Sequence, residues 1–472
     1  MTATSPTLPI GSADRPLRVA IIGAGPSGFY AAESLFKRNE LTVQIDLFDR
    51  LPTPFGLVRG GVAPDHQKIK RVVRVYEKTA AKEGFRFFGN VAIGRDLSAD
   101  DLRMHYDQVI WAYGCESDRA LGVPGEDLKG SYSATEFVGW YNGHPDYRDR
   151  GFQLDCETAV VVGIGNVAID VARILLRDPD ELAESDIADH ALAVLRTSKV
   201  REVVLLGRRG AAQAAFSPTE IKELAELAGV DVVVRAEDAD LDPISVAWLA
   251  GVDDKNTHEN VAVLQRLADA GEGDAPRKVR LRLLASPVEV IGADGAVVGV
   301  RIERNELVLD SRNTPRPRGT GRTGDVTCGL VFRSVGYRGV ALPGVPFDEG
   351  WGSVPNDGGR VLTARDGERV ADEYVVGWIK RGPSGLIGTN RGCSVETVDR
   401  MVEDIEGRSA AVDPDKDGAA IVAKLRSRGV RWVDFAGWQR IDETERQRGE
   451  ALGKVRSKLT TIEEMITVAD EA

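Results

Sequence analysis

Apolar positions in this 472-residue chain gather into short, mostly continuous runs, and the first of them open onto glycine. Leu17 to Ile22 is such a run and predicts a strand buried on both faces of a parallel sheet. It enters Gly23-Ala24-Gly25-Pro26-Ser27-Gly28, a G-x-G-x-x-G turn, and a helix from Pro26 to about Arg38 follows. In that pattern Gly23 permits the tight turn, Gly25 leaves room for a pyrophosphate and Gly28 lets the helix pack close to the strand. The helix N-terminus adds free N–H groups and a positive dipole end. A second run, Val43 to Phe48, ends at Asp49, about 20 residues on, where a carboxylate takes ribose hydroxyls. The unit predicts a bound dinucleotide and leaves FAD and NAD equally open.

The pattern returns at Thr158 to Val162, which enters Gly163-Ile164-Gly165-Asn166-Val167-Ala168, the G-x-G-x-x-A form. Its next strand, Glu202 to Leu206, ends in Gly207-Arg208-Arg209-Gly210 rather than in an acid. An acid there selects the 2′-hydroxyl of NAD, whereas arginines accommodate the 2′-phosphate of NADP through charge-assisted bonds. Arg208 lies 43 residues past Gly165, because a polar helical insertion, about Asp178 to Ser198, lengthens the unit.

Between and beyond these units the pattern is looser. Leu51 to His66, with three prolines and three glycines, predicts a shaped loop that wraps a ligand. A basic amphipathic helix, Gln67 to about Ala81, and strands at Phe85 to Ile93 and Gln108 to Gly114 follow. Val230 to Leu309 reads as β-segments with a helix near Glu259 to Ala270, and Asp310 to Asp325 as a mobile loop. Val109 to Gly114 and Leu330 to Tyr337 are similar strands that bracket the second unit, so the chain is expected to leave its first domain near Gly114 and return near Gly336. The strand Tyr374 to Trp378 then feeds a third glycine-rich turn, Lys380 to Asn390, and a helix, Ser394 to Glu406. Its backbone N–H groups suit an electron-rich ring edge. The polar helical remainder, Ala419 to Ala472, carries Trp432 and Trp438 as packing anchors. The expected organisation is a loose tail over 1–14, a first domain in two parts (15–115 and 337–472) and an inserted domain over 116–336.

Composition narrows the chemistry. A net charge of −12 argues against a nucleic-acid partner while allowing a local basic patch. Cys115, Cys156, Cys328 and Cys393 lie far apart, which argues against a dithiol centre, a metal site or an iron–sulfur cluster held by this chain alone. No apolar run reaches the ~18 residues of a membrane span, and residues 1–15 resemble neither a secretory signal nor a transit peptide. The expected location is the cytoplasm, and the expected state a monomer or weak dimer. There is no G-x-S-x-G or H-E-x-x-H, and the five histidines are scattered. Two dinucleotide units, one tipped by an acid and one by arginines, imply resident FAD and exchanging NADP(H), an α/β architecture in which the cofactors carry the redox chemistry.

Six segments together resemble a known family: Pro54 to His66 (P-F-G-L-V-R-G-G-V-A-P-D-H), Phe137 to Asn142 (F-V-G-W-Y-N), Gly165 to Arg173 (G-N-V-A-I-D-V-A-R), Gly207 to Gly210 (G-R-R-G), Arg333 to Gly339 (R-S-V-G-Y-R-G) and Val375 to Asn390 (V-V-G-W-I-K-R-G-P-S-G-L-I-G-T-N). In order and spacing they are similar to adrenodoxin reductase and, more closely, to bacterial NADPH–ferredoxin reductases, over about residues 15 to 400. The resemblance implies two Rossmann-like dinucleotide-binding domains of the glutathione-reductase type, the NADP domain inserted into the FAD domain, without that enzyme's disulfide. It implies FAD, a preference for NADPH and a ferredoxin-type iron–sulfur protein as electron acceptor, with cytochrome P450-type monooxygenases among the downstream users. The implied FAD contacts are the Gly23 to Gly28 turn with Pro26 and Ser27, Asp49, Leu57, Val91, Trp378 (as a flavin-stacking residue), Gly385, Leu386 and Ile387, with Gly385 close to the nicotinamide. The implied NADP contacts are Gly165, Asn166, Val167, Arg208, Arg209 and Glu220. Asp49 stands where relatives usually have Glu, and Ile164 where they often carry a polar residue.

His66 ends the wrapping loop, and Glu220 and Glu223 lie one turn apart on a helix. The functional reading makes them a proton relay or a positioning set at the nicotinamide; the plainer one makes His66 a loop brace and the glutamates a solvated face. Because ferredoxins are generally acidic, a basic docking patch is expected from Lys37, Arg38, Lys68, Lys70, Arg71 and Arg74. A flavin-dependent monooxygenase and a non-catalytic dinucleotide-binding subunit are the alternatives.

Overall fold

The computed structural model describes residues 7–471. Described residues up to Ser117, with Tyr337 onward, form one compact unit, and Asp118–Gly336 form the other. Each unit is an α/β dinucleotide-binding fold, and the chain passes through the second between the two parts of the first.

The first unit is built on a seven-stranded sheet in the order Asn356–Asp357, Arg360–Leu362, Arg369–Val375, Gln108–Trp111, Leu17–Ile22, Val43–Phe48, Phe85–Phe88. The last five are parallel, with Leu17 opposite Val43 and Ile22 opposite Phe48. Leu17, Val19 and Ile21 pack on the face carrying helix Pro26–Leu35, while Ala20 and Ile22 join Val109 and Trp111 on the other. Burial on both faces is why this strand reads as a continuous apolar run. Strand order reverses between Leu17–Ile22 and Gln108–Trp111, and a crevice at such a switch point is where open α/β sheets bind ligands.

The second unit carries a six-stranded parallel sheet in the order Val230–Val234, Arg277–Arg282, Glu202–Leu206, Thr158–Val162, Leu330–Arg333, Ser131–Ser133. A three-stranded antiparallel sheet, Ala285–Ala293, Ala296–Leu309 and Pro315–Thr327, covers one of its faces, where Val290, Val297 and Val300 pack against Val160 and Val162. The insertion is two helices, Pro179–Ala183 and Asp189–Arg196. Among the described residues no helix is long and apolar enough to cross a membrane.

Several expectations need correcting. Asp310 to Asp325 is not a mobile loop: from Pro315 it forms an edge strand antiparallel to Ala296–Leu309. An edge strand exposed on one side needs no apolar alternation and tolerates proline. Cross-strand pairs Arg318–Glu306 (2.5 Å) and Arg301–Asp325 (2.9 Å) replace the missing hydrophobic signal. The helix expected over Gln67 to Ala81 is broken into Gln67–Lys70 and Val73–Ala80, with a tighter turn between them in which Val72 and Val75 donate three residues back. The strand from Phe85 stops at Phe88, before Asn90 turns into the left-handed region (φ 61°). Within the expected tail, Thr7–Pro9 pairs antiparallel with Ser409–Ala411; residues 1–6 of that tail lie outside the described residues. The C-terminal region is three helices, Gly418–Ser427, Phe435–Glu450 and Ile462–Asp470.

Candidate functional site

The first cradle is the turn between Leu17–Ile22 and helix Pro26–Leu35. Gly23 has φ 112°, and a Cβ on it would lie 2.5 Å from the Ala112 carbonyl oxygen across the switch point. A Cβ on Gly28 would lie 2.2 Å from the Gly23 oxygen, so helix and strand touch there. Gly25 is different: its Cβ would meet only the Gly56 Cα, at 4.0 Å. Two of the turn's glycines are therefore needed by the fold, while the third leaves space for a phosphate group. Pro26 begins the helix and Ser27 is buried.

Asp49, at the tip of Val43–Phe48, accepts N–H bonds from Ala24 (2.8 Å) and Leu51 (2.9 Å). Burial pushes its carboxyl up to about 6, although those two N–H groups and Arg50 pull the other way. Its lone pairs outnumber these two bonds, leaving acceptor capacity for ribose hydroxyls. The wrapping loop is pinned to the turn by the Phe55 N–H on the Ala24 oxygen (2.7 Å). Leu57 opens its short helix Leu57–Gly60. The Val91 side chain is buried in the core, its N–H bonded to the Asp49 carbonyl oxygen at 2.9 Å.

The third glycine-rich turn closes on this cradle. Ser27 Oγ donates to Asn390 Oδ1 (3.1 Å), and Ser394 Oγ donates to the Ser27 carbonyl oxygen (3.0 Å). Trp378, half-buried, packs at 5.3 Å on Tyr337, and its Nε1–H is buried without a partner among the described residues. Gly385 and Leu386 are exposed, Leu386 by 64%, and Ile387 is half-buried. An orphaned indole N–H, an exposed leucine and an empty glycine face at one strand-end crevice fit a bound FAD.

In the second cradle, a Cβ on Gly165 would meet nothing within 4 Å. Asn166 begins helix Asn166–Leu176 and accepts the Ser217 N–H (2.8 Å), and Val167 is half-buried behind it. Arg208 is exposed and Arg209 half-buried, and their backbone is fixed by Asn305 Nδ2 on the Arg208 oxygen (2.8 Å) and by Leu284 N–H on the Arg209 oxygen (3.1 Å). Among the described residues neither guanidinium has an ion-pair partner. Burial lowers the pKa of Arg209, and the charges of Arg208 and Arg316 lower it further. Arg316 is paired with Asp310 (2.9 Å), but Arg208 and Arg209, adjacent and without a carboxylate of their own, fit a phosphate. Arg316 escaped the sequence reading because its segment looked like a loop.

Glu220 is buried at the start of helix Pro218–Ala225 and accepts from Arg173 (3.3 Å), which also bonds Asp170 (2.6 Å). Glu223 is exposed, so the structure does not keep the two glutamates in one setting. His66 stands at the N-cap position of Gln67–Lys70 in the first unit, without a side-chain capping bond. The expected basic patch shrinks: Lys37 pairs with Glu33 (2.5 Å), Arg38 pairs with Asp399, and Lys70 is buried. Lys68, Arg71 and Arg74 stay exposed beside exposed Ile69 and Val75.

Comparison with known proteins places this geometry. The pyridine nucleotide-disulphide oxidoreductase model matches residues 17–242. The NADPH-ferredoxin reductase FprA of Mycobacterium tuberculosis is 46% identical over 462 residues, covering 96% of this chain and 99% of that protein. The mitochondrial NADPH:adrenodoxin oxidoreductase of Arabidopsis thaliana is 41% identical over 470 residues, covering 97% and 96%. The solved structure of Mycobacterium tuberculosis FprA in complex with NADPH superposes with a TM-score of 0.90 at 45% identity, covering 96% of this chain and all of that one. The chain belongs to the family of NADPH–ferredoxin and NADPH–adrenodoxin reductases, within the pyridine nucleotide-disulphide oxidoreductases.

Proposed function

We propose that this protein is an NADPH–ferredoxin oxidoreductase, with FAD held by the first unit and NADP(H) by the second. The Gly23–Gly28 turn, Asp49, Leu57, Val91, Trp378 and Gly385 to Ile387 hold FAD; Gly165, Asn166, Val167, Arg208, Arg209 and Glu220 hold NADP(H). When bound, FAD supplies the two-electron to one-electron conversion that a hydride donor and a single-electron acceptor require. The chain's own part is binding and orientation. Arg208 and Arg209 select the 2′-phosphate, Glu220 is held in place by buried Arg173, and His66 acts on the side of the first unit. The acceptor is an acidic ferredoxin-type iron–sulfur protein that docks on Lys68, Arg71 and Arg74 around Ile69 and Val75, in the cytoplasm.

The observation that carries this reading is the pairing of an acid-tipped open cradle with an arginine-tipped one whose charges lack partners. Its test is reduction of cytochrome c through added ferredoxin, with NADPH compared against NADH. Turnover that requires ferredoxin and favours NADPH is expected; equal use of both nucleotides, or no dependence on ferredoxin, contradicts it. Stopped-flow hydride transfer in His66→Gln tests the role of His66: an unchanged rate and spectrum leave it a loop brace.

A further inference from the structure

Glu445, on helix Phe435–Glu450, is fully buried and ties that helix to the wrapping loop. Its two oxygens accept both ends of the Arg59 guanidinium (2.5 and 2.8 Å), and also Arg456 Nη1 (3.0 Å) and the Leu459 N–H (2.9 Å). Lys458 Nζ donates to the Arg59 carbonyl oxygen at 3.3 Å. Two turns earlier on the same helical face, Trp438 stands edge-on to Phe55, 5.5 Å between ring centres, with the Arg59 guanidinium 5.3 Å above its own ring.

Phe55 has φ 83°, which a bulky residue adopts only when its surroundings impose it. It is buried among Phe29, Tyr76 and Trp438, and its N–H bonds the cofactor turn at Ala24. The next residue, Gly56, lies against Gly25, the glycine whose face is open. Relaxation of Phe55 would therefore move backbone lying directly against the cradle.

We propose that helix Phe435–Glu450 is a clamp on the wrapping loop, with Glu445 and Trp438 as positioning residues that hold Phe55 and Gly56 in the geometry that retains FAD. This rests on the reading that FAD occupies the first cradle. The bidentate Arg59–Glu445 pair fixes angle as well as distance, which a single point charge does not. Neutralising Glu445 leaves the largely buried Arg59 guanidinium without its carboxylate.

The test uses the full-length protein and two variants, Glu445→Gln and Arg59→Lys, the second keeping the charge but losing the fork. FAD release is followed by the rise of free-flavin fluorescence on dilution, thermal unfolding is compared with and without FAD, and NADP+ affinity is measured by calorimetry. Both variants are expected to release FAD faster, on the order of tenfold or more. They are also expected to lose most of the thermal stabilisation that added FAD gives, with NADP+ affinity unchanged. Unchanged release in a folded variant, or equal destabilisation with and without FAD, overturns the clamp and leaves a purely structural ion pair. Should Glu445→Gln fail to fold, Arg59→Lys decides alone. A wild-type protein that binds no FAD overturns the functional reading, and the clamp with it.

Discussion

Arg209 lies half-buried beside Arg208, and among the described residues neither guanidinium has a carboxylate partner, so an arriving anion meets unneutralised charge. Charge-assisted hydrogen bonds contribute about 1.5–3 kcal/mol, so Arg209→Ala is expected to raise the KM for NADPH about 10–100-fold and leave that for NADH nearly unchanged. Steady-state kinetics with both nucleotides check this, and parallel losses would remove the 2′-phosphate assignment. Asp49 gives a pH signature. Its folded pKa, about 6, is above the ordinary 3.8, so the FAD-free protein binds a proton there that the unfolded chain does not. That contribution stabilises the FAD-free protein as pH falls from about 6 toward about 4. Ribose hydroxyls donate to the ionised form, so FAD affinity is expected to move the other way, falling by at most about tenfold per pH unit below about 6. Asp49→Asn should flatten the profile, measured by FAD fluorescence; an unchanged slope would show that another group titrates. Asp49, Arg208 and Arg209 were legible in the sequence because each sits at the tip of a strand at a fixed place in its unit. Arg316, Arg173 and Glu445 were not, because only tertiary packing brings them to the sites.

At the scale of elements, the two glycine turns were legible because strand, turn and helix are contiguous in sequence. The structure adds that their glycines have separable roles. Gly28→Ala forces a Cβ to 2.2 Å from a carbonyl oxygen and is expected to destabilise the FAD-free protein by about 1–3 kcal/mol or more. Gly25→Ala meets nothing closer than 4.0 Å, so it should leave FAD-free unfolding unaltered while weakening FAD binding. Chemical unfolding and flavin titration of both variants separate fold from ligand; if Gly25→Ala binds FAD normally, the pyrophosphate does not lie there. The strand Pro315–Thr327 was hidden because an exposed edge strand held by charge pairs carries no apolar period. The break between Gln67–Lys70 and Val73–Ala80 was hidden because neither proline nor glycine marks it.

For the whole molecule, the net charge of −12 opposes an acidic partner, and the exposed Lys68, Arg71 and Arg74 offer a local exception. Steering of this kind is screened within about 10 Å at 0.1 M salt. Ferredoxin-dependent turnover is therefore expected to slow as ionic strength rises. Replacing the three residues by alanine should raise the KM for ferredoxin and flatten that salt dependence, while NADPH-driven reduction of ferricyanide stays as it was. Turnover insensitive to salt would contradict the docking face. The interrupted first domain was expected from the similarity of the strands at Val109 and Leu330, and Gln108–Trp111 pairs in parallel with Arg369–Val375 within one sheet. The central claim, a resident FAD reduced by NADPH, is tested most directly by anaerobic titration of the purified protein, following its visible spectrum. A yellow protein is expected, its flavin band bleached by about one equivalent of NADPH and much less readily by NADH. A colourless protein, or a flavin that NADPH leaves oxidised, would contradict it.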